Sequence, residues 1–153
     1  MTTAIAPDGI EVRVLENEHH RVREGLFRLR EAIAGAHRLR RSDWIDHTAR
    51  ALAWLRRDLL PHAAWEEAWL YPHLDTLAET AWATRALRFE HEQIRELATA
   101  LETEFAAAEE RWSPEQAFRL LVPLTRLETL ITSHLAQEQW FIGPLLERAQ
   151  PER

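Results

Sequence analysis

His62-Ala-Ala-Trp-Glu66 and His134-Leu-Ala-Gln-Glu138 place paired polar groups on otherwise apolar stripes, 72 residues apart. This repetition constrains the chain more than any other feature, because it asks for helices that turn histidines and carboxylates inward. It has company at the same offset. Glu18-His19 with Arg23-Glu24 recurs as Glu90-His91 with Arg95-Glu96, and Pro72 recurs as Pro144. Leu15, Leu29, Leu52 and Leu55 recur as Leu87, Leu101, Leu124 and Leu127. Leucine matches arise by chance in a Leu-rich helical chain; His, Glu and Pro matches at one shared offset are much harder to dismiss. The chain reads as two copies of one helical hairpin, related by a pseudo-twofold axis.

Glycine occurs only at 9, 25, 35 and 143, and β-branched runs are scarce. Stretches rich in Ala, Leu, Glu and Arg carry the helical period, which predicts helices near 11–38, 43–71, 77–110 and 114–147. Ser42-Asp43 offers an N-cap oxygen to the second helix. Ser113-Pro114-Glu115-Gln116 combines an N-cap, a proline at the first helical position and a capping-box partner. Pro72 and Pro144 are expected to stop or kink their helices, and Pro61 and Pro123 to bend them from inside. Short connections make neighbours antiparallel. The expected fold is therefore all-α, an up-down-up-down antiparallel four-helix bundle over residues 11–147, with an N-terminal arm at 1–10 and a polar tail at 148–153.

Facing and height converge on one cluster. His19 lies in line with Val12, Leu15, Val22, Leu26, Leu29 and Ile33 on the first helix. His62 and Glu66 continue the stripe of Leu52, Leu55 and Leu59 and run on to Trp69. His91 sits among Leu87, Ile94, Ala98, Leu101 and Phe105, and His134 with Glu138 extends Leu124, Leu127 and Leu130/Ile131 towards Phe141 and Leu145. His19, Glu66, His91 and His134 lie 22, 23, 21 and 21 residues from their linking turns, so at about 1.5 Å per residue the four helices bring their polar groups to similar heights.

One histidine on an apolar stripe is most often a packed core residue. Four of them with two carboxylates, buried without partners, would cost several kcal/mol each. Two bridged cations remove that cost. Glu66 and Glu138 would bridge them while His19, His62, His91 and His134 complete each sphere. A sulfur-free set of nitrogen and oxygen donors suits Fe, Mn or Zn. His20, His37, His47 and His73 lie off the stripes or far along the axis and are expected in solvent. Trp65, Trp69 and Trp140 flank the ligand segments and could wall off a small pocket. Ordinary packing is the simpler expectation for the tryptophans as a set and for Tyr71 at a helix end, the alternative for Tyr71 being a place beside the ligands beyond Glu66.

Composition excludes other chemistries. With no cysteine among 153 residues there are no disulfides, thiolate zinc sites or iron–sulfur ligation. A formal charge of −6 argues against a nucleic-acid surface. No apolar run approaches the roughly 20 residues a membrane crossing needs, and the N-terminus does not read as a secretory leader, so a cytoplasmic protein is expected.

With His19, His62-x-x-x-Glu66, His91 and His134-x-x-x-Glu138 in order, the chain resembles the hemerythrin-like (HHE cation-binding) family over residues 12–147. Leu70-Tyr71-Pro72 with Leu74, and Gly143-Pro144-Leu145-Leu146, are similar to that family's segments after the ligands. The resemblance implies a non-haem di-iron centre with an oxo or hydroxo bridge. His19 and His62 would hold one iron, His91 and His134 the other, with Glu66 and Glu138 bridging. The family's oxygen carriers have a second histidine four residues after the third-helix ligand, where this chain has Arg95. They have aspartate five residues after the fourth-helix histidine, where this chain has Glu138 four residues on. Fewer histidines leave more coordination positions open to a small ligand.

Three functions fit these residues. The first is binding of dioxygen or a related small oxidant for sensing, storage or delivery. The second is a di-iron redox enzyme acting on peroxide or nitric oxide, and the third a metal-responsive, partner-binding module. The expected partner is a diatomic or peroxide ligand, with no nucleic acid and no membrane, and the chain is expected as a monomer or homodimer.

Overall fold

The computed structural model describes residues 12–149. The expected arm at 1–10 and the end of the tail lie outside them. Four rods pack around a common core, and no strand occurs among the described residues. The first rod is α1 (Val12–Gly35). The second is composite: α2 (Arg41–Trp54), α3 (Leu60–Trp65) and α4 (Tyr71–Leu77) are joined end to end by two π turns, π1 (Leu55–Leu59) and π2 (Glu66–Leu70). The third and fourth are α5 (Arg85–Glu110) and α6 (Pro114–Ala149). α5 and α6 share the most extensive interface, followed by α1 with the second rod and with α6.

Local chemistry moves several ends. The second rod starts at Arg41 rather than after a Ser42-Asp43 cap, because extended Arg40 is its N-cap residue and no side chain caps it. Trp44 fixes that start: its indole Nε1–H donates to the Ala32 carbonyl at 2.6 Å and pins the first turn to α1. Neither Pro72 nor Pro144 stops its helix. The second rod continues to Leu77, so the connection expected at 72–76 falls instead at residues 78–84 and the third rod opens at Arg85. Asp75 clasps that connection by accepting from both the backbone N–H and the hydroxyl of Thr84, each at 3.0 Å. Ser113 caps α6 as expected, accepting from the Gln116 N–H at 3.0 Å. The Gln116 side chain does not return to the cap; it donates to the backbone carbonyl and side chain of Glu104 on α5.

Pro61 and Pro72 each follow a π turn by two residues. A proline has no N–H to give and crowds the carbonyl one turn back, and a π turn, bonded five residues back, widens the helix there. Leu60 N–H bonds to the Leu55 carbonyl, and Tyr71 N–H to that of Glu66. The Glu67 carbonyl, five residues before the proline nitrogen, instead accepts from the Arg88 guanidinium of α5 at 3.3 Å. α6 carries Pro123 and Pro144 inside one continuous α-helix with no π turn.

The apolar core has two parts. The larger runs through Val22, Leu29, Leu55, Leu101 and Leu127; the smaller, near the 78–84 connection, holds Leu15, Leu70, Tyr71, Leu74, Leu87 and Ile142. On each rod the polar residues singled out by sequence fall between the two. α1 meets the second rod closely at Gly25, where an added Cβ would lie 1.7 Å from the Trp54 indole nitrogen. Only glycine leaves room for that buried indole.

Candidate metal centre

All six expected donors come together in this polar layer. His19, His62, Glu66, His91, His134 and Glu138 are buried. His19 Nε2 lies 3.2 Å from Glu66 Oε1 and 3.1 Å from Glu138 Oε2. His62 Nε2 is 3.0 Å from Glu66 Oε1, His91 Nε2 3.3 Å from Glu66 Oε2, and His134 Nε2 3.3 Å from Glu138 Oε1. The Nε2 atoms of His91 and His134 approach within 3.0 Å. Two donor groups can be drawn from these atoms: Glu66, His91, His134 and Glu138 as one, and His19, His62 and Glu66 as the other. Glu66 belongs to both, and Glu138 also reaches His19.

Electrostatics shape the cluster. Burial alone would lower the pKa of His19, but hydrogen bonds to Glu138 and Glu66 outweigh it and push the imidazole up to about 9. His134 is pushed up to about 9 as well, against its burial, mainly by Glu138 and then by Glu90. Burial works to raise Glu66 and Glu138, yet the surrounding imidazoles hold Glu66 well below the usual carboxylate range and Glu138 below it. Even so, His62 Nε2, Glu66 Oε2 and Glu138 Oε2 are buried and, although each lies 3.0–3.3 Å from an opposite group, make no well-aligned hydrogen bond. Leaving such atoms poorly satisfied costs up to about 1–3 kcal/mol each, more if charged. Three misaligned donor atoms among four inward imidazoles and two carboxylates fit metal cations.

Three further residues enter the site, none of them assigned there on sequence grounds. Tyr71 is fully buried, its hydroxyl donating to Glu138 Oε1 at 2.6 Å and lying 3.3 Å from His91 Nε2. It follows Glu66 by five residues, which on an α-helix points it well away from that carboxylate. The π turn Glu66–Leu70 brings residues five apart nearly onto one face. The same widening turns Trp69 out of the expected stripe, to 69% exposure. Glu67 accepts from His91 Nδ1 at 2.9 Å and from Arg95 at 2.5 Å. Glu90 accepts from His134 Nδ1 at 2.7 Å. A carboxylate can only accept there, so both imidazoles carry a proton on Nδ1 and turn Nε2 to the cluster. Glu90 could have been found by its place just before His91 at the shared offset. Glu67 left no such trace, because Gln139 stands 72 residues on.

The remaining expectations divide. His20 and His37 are exposed and His47 and His73 partly so, all outside the cluster. Trp140 is 83% exposed and lines a separate surface pocket with Leu87 and Phe141, Trp69 is exposed as well, and Trp65 stacks on His62 with centroids 6.1 Å apart. Trp44 and Trp54 are core residues and Trp112 packs edge-on against Trp44. A groove of about 1000 Å³ between α1 and the second rod, lined by Glu18, Arg21, Arg28, Trp54, His62 and Trp65 among others, reaches the cluster at His62. No helix among the described residues is long and apolar enough to cross a membrane.

A helical bundle that turns four imidazoles and two carboxylates into one buried layer defines a metal-binding bundle protein. The family model of the hemerythrin HHE cation binding domain matches residues 11–145, nearly the whole chain, and the chain belongs to that family. No curated protein and no solved structure matches it.

Proposed function

We propose that the chain holds two iron ions between the four histidines, bridged by Glu66 and Glu138, and uses them to bind dioxygen or a related small oxidant for sensing, storage or delivery. The observation that carries this reading is the convergence of four imidazoles and two carboxylates in one buried layer, with donor atoms on His62, Glu66 and Glu138 that make no well-aligned hydrogen bond. When bound, the metal pair supplies redox and Lewis-acid chemistry at the layer. The chain's own contribution is to hold the donors in place, exclude water with apolar layers on both sides and keep the Tyr71 hydroxyl on Glu138. The rods run up-down-up-down, with the two hairpins related by a pseudo-twofold axis. Two observations support this arrangement: the matches at offset 72, and a burial pattern that repeats from Thr48/Leu120 through Leu55/Leu127 and Ala63/Leu135 to Leu70/Ile142.

Metal analysis and visible spectra of untagged protein, loaded with ferrous iron without air, test the reading. Two irons per chain and an absorption that appears on aeration and reverses on deoxygenation are expected, both impaired in His62→Ala. Irreversible bleaching overturns oxidant binding; failure to retain iron overturns the metal assignment. A second reading, turnover of peroxide or nitric oxide, draws support from the groove that reaches His62. It requires sustained turnover well above that of free iron.

A further inference from the structure

We infer that the two metal positions are unequal: the His91/His134 position takes its divalent first-row ion first and holds it tightly, while the His19/His62 position takes and releases the second. This rests on the dinuclear reading above and extends it. The difference lies in what grips the outer nitrogens. His91 Nδ1 is held by Glu67 at 2.9 Å and His134 Nδ1 by Glu90 at 2.7 Å. Those carboxylates are themselves fixed, Glu67 by Arg95 and Glu90 by Gln137, each at 2.5 Å.

The residues 72 positions away build the same scaffold more weakly. Glu18, the match of Glu90, has Oε2 3.9 Å from His62 Nδ1, beyond hydrogen-bond range, and turns Oε1 to Arg21 at 3.1 Å. The match of Glu67 is Gln139, a neutral amide that accepts from Arg23, itself the match of Arg95, at 3.0 Å. An anionic acceptor on the outer nitrogen fixes the ring and makes its inner nitrogen a stronger donor; losing one such partner typically weakens metal binding about 10–100-fold. Access points the same way. Glu18, Arg21, His62 and Trp65 line the groove, whereas His91 and His134 do not. Glu67, Glu90 and Arg95 thus act as positioning residues for one ion of the pair.

Titration of the metal-free full chain with cobalt(II), followed by calorimetry and by the cobalt visible bands, tests this. Two steps are expected, one ion each, with the first at least tenfold tighter, and a mild chelator should strip only the second ion. Glu67→Gln and Glu90→Gln should each weaken the first step about 10–100-fold and leave the second nearly unchanged. Glu18→Gln should leave the first step alone. Far-ultraviolet circular dichroism checks that each variant is folded. Two ions entering in a single step, or a first step indifferent to both glutamine variants, overturns the inference and spares the dinuclear reading. Uptake that stops short of two ions overturns that reading and the inference with it.

Discussion

The first half of the chain, α1 with the composite second rod, and the second half, α5 with α6, bury matching positions but reach that result differently. Thr48, Leu52, Leu59, His62, Glu66 and Leu70 are buried, and so are Leu120, Leu124, Ile131, His134, Glu138 and Ile142, each 72 residues on. Yet the second rod has two π turns and α6 has none. Burial at one helical spacing therefore does not dictate one backbone. What the π turn changes is the residue beyond the motif: it adds Tyr71 to the layer, where α6 has Gly143. A second difference lies between the rods. Gly25 admits the buried Trp54 indole against α1, while the matching positions are Leu97 and Arg126.

The sharpest way to break the comparison is to insert one alanine after Ala68, within π2, which already holds one residue more than an α turn. Everything beyond it rotates by about 100°, uncovering Leu70, Tyr71 and Leu74. At about 1.5–3 kcal/mol per large apolar side chain, urea unfolding should show a loss on the order of 5 kcal/mol. A variant that keeps wild-type stability would mean that the turn widens again to absorb the extra residue.

Metal-free protein should respond next most strongly, to pH. His19 and His134 are raised to about 9 in the fold from about 6.5 unfolded, so their stabilisation is whole below pH 6.5 and is lost as pH rises through 9. Glu66 and Glu138 are depressed, so theirs is present above about pH 4.5 and lost in acid. Stability without metal, followed by urea unfolding, should therefore peak between about pH 5 and 6.5 and fall towards 9, by an amount on the order of a few kcal/mol. With cations bound the trend above pH 6.5 should reverse, because they displace those protons. Parallel curves with and without metal would separate the cluster from metal binding.

Gly25→Ala forces its methyl into the Trp54 indole and should cost about 1–3 kcal/mol in thermal unfolding; no change would show that the rods part easily there. Tyr71→Phe keeps the ring and leaves Glu138 Oε1 short of its donor, an expected cost of about 1–2 kcal/mol without metal. The smallest effect concerns the exposed pair Arg30–Glu128, whose matches, Glu102 and Arg56, pair with the charges exchanged. Arg30→Ala should cost less than about 1 kcal/mol, and high salt should erase even that.

Much of this molecule is legible in the sequence, for a definite reason. Helical periodicity depends only on neighbours along the chain, and His19, His62, Glu66, His91, His134 and Glu138 stand out as polar residues on apolar faces. What escapes a sequence reading depends on departures from that period. A uniform 3.6-residue turn misplaces Trp69 and Tyr71, and one π turn exchanges their fates. Pro72 reads as an end because the widened turn that accommodates it has no clear signal of its own. Ser42 loses its capping role to Trp44, whose bond to Ala32 links different rods. Glu67 is invisible for the same reason: its work is done across to α5, on His91 and Arg95.

The phenol of Tyr71 carries one more consequence. Burial, then the negative charges of Glu66 and Glu138, raise its pKa far beyond the ordinary tyrosine value. It thus holds its hydrogen beyond the pH at which an exposed tyrosine gives one up, and offers it to Glu138. Because its counterpart at Gly143 has no side chain, the layer meets this hydroxyl from a single side, through Glu138, which gives the interior a fixed polarity.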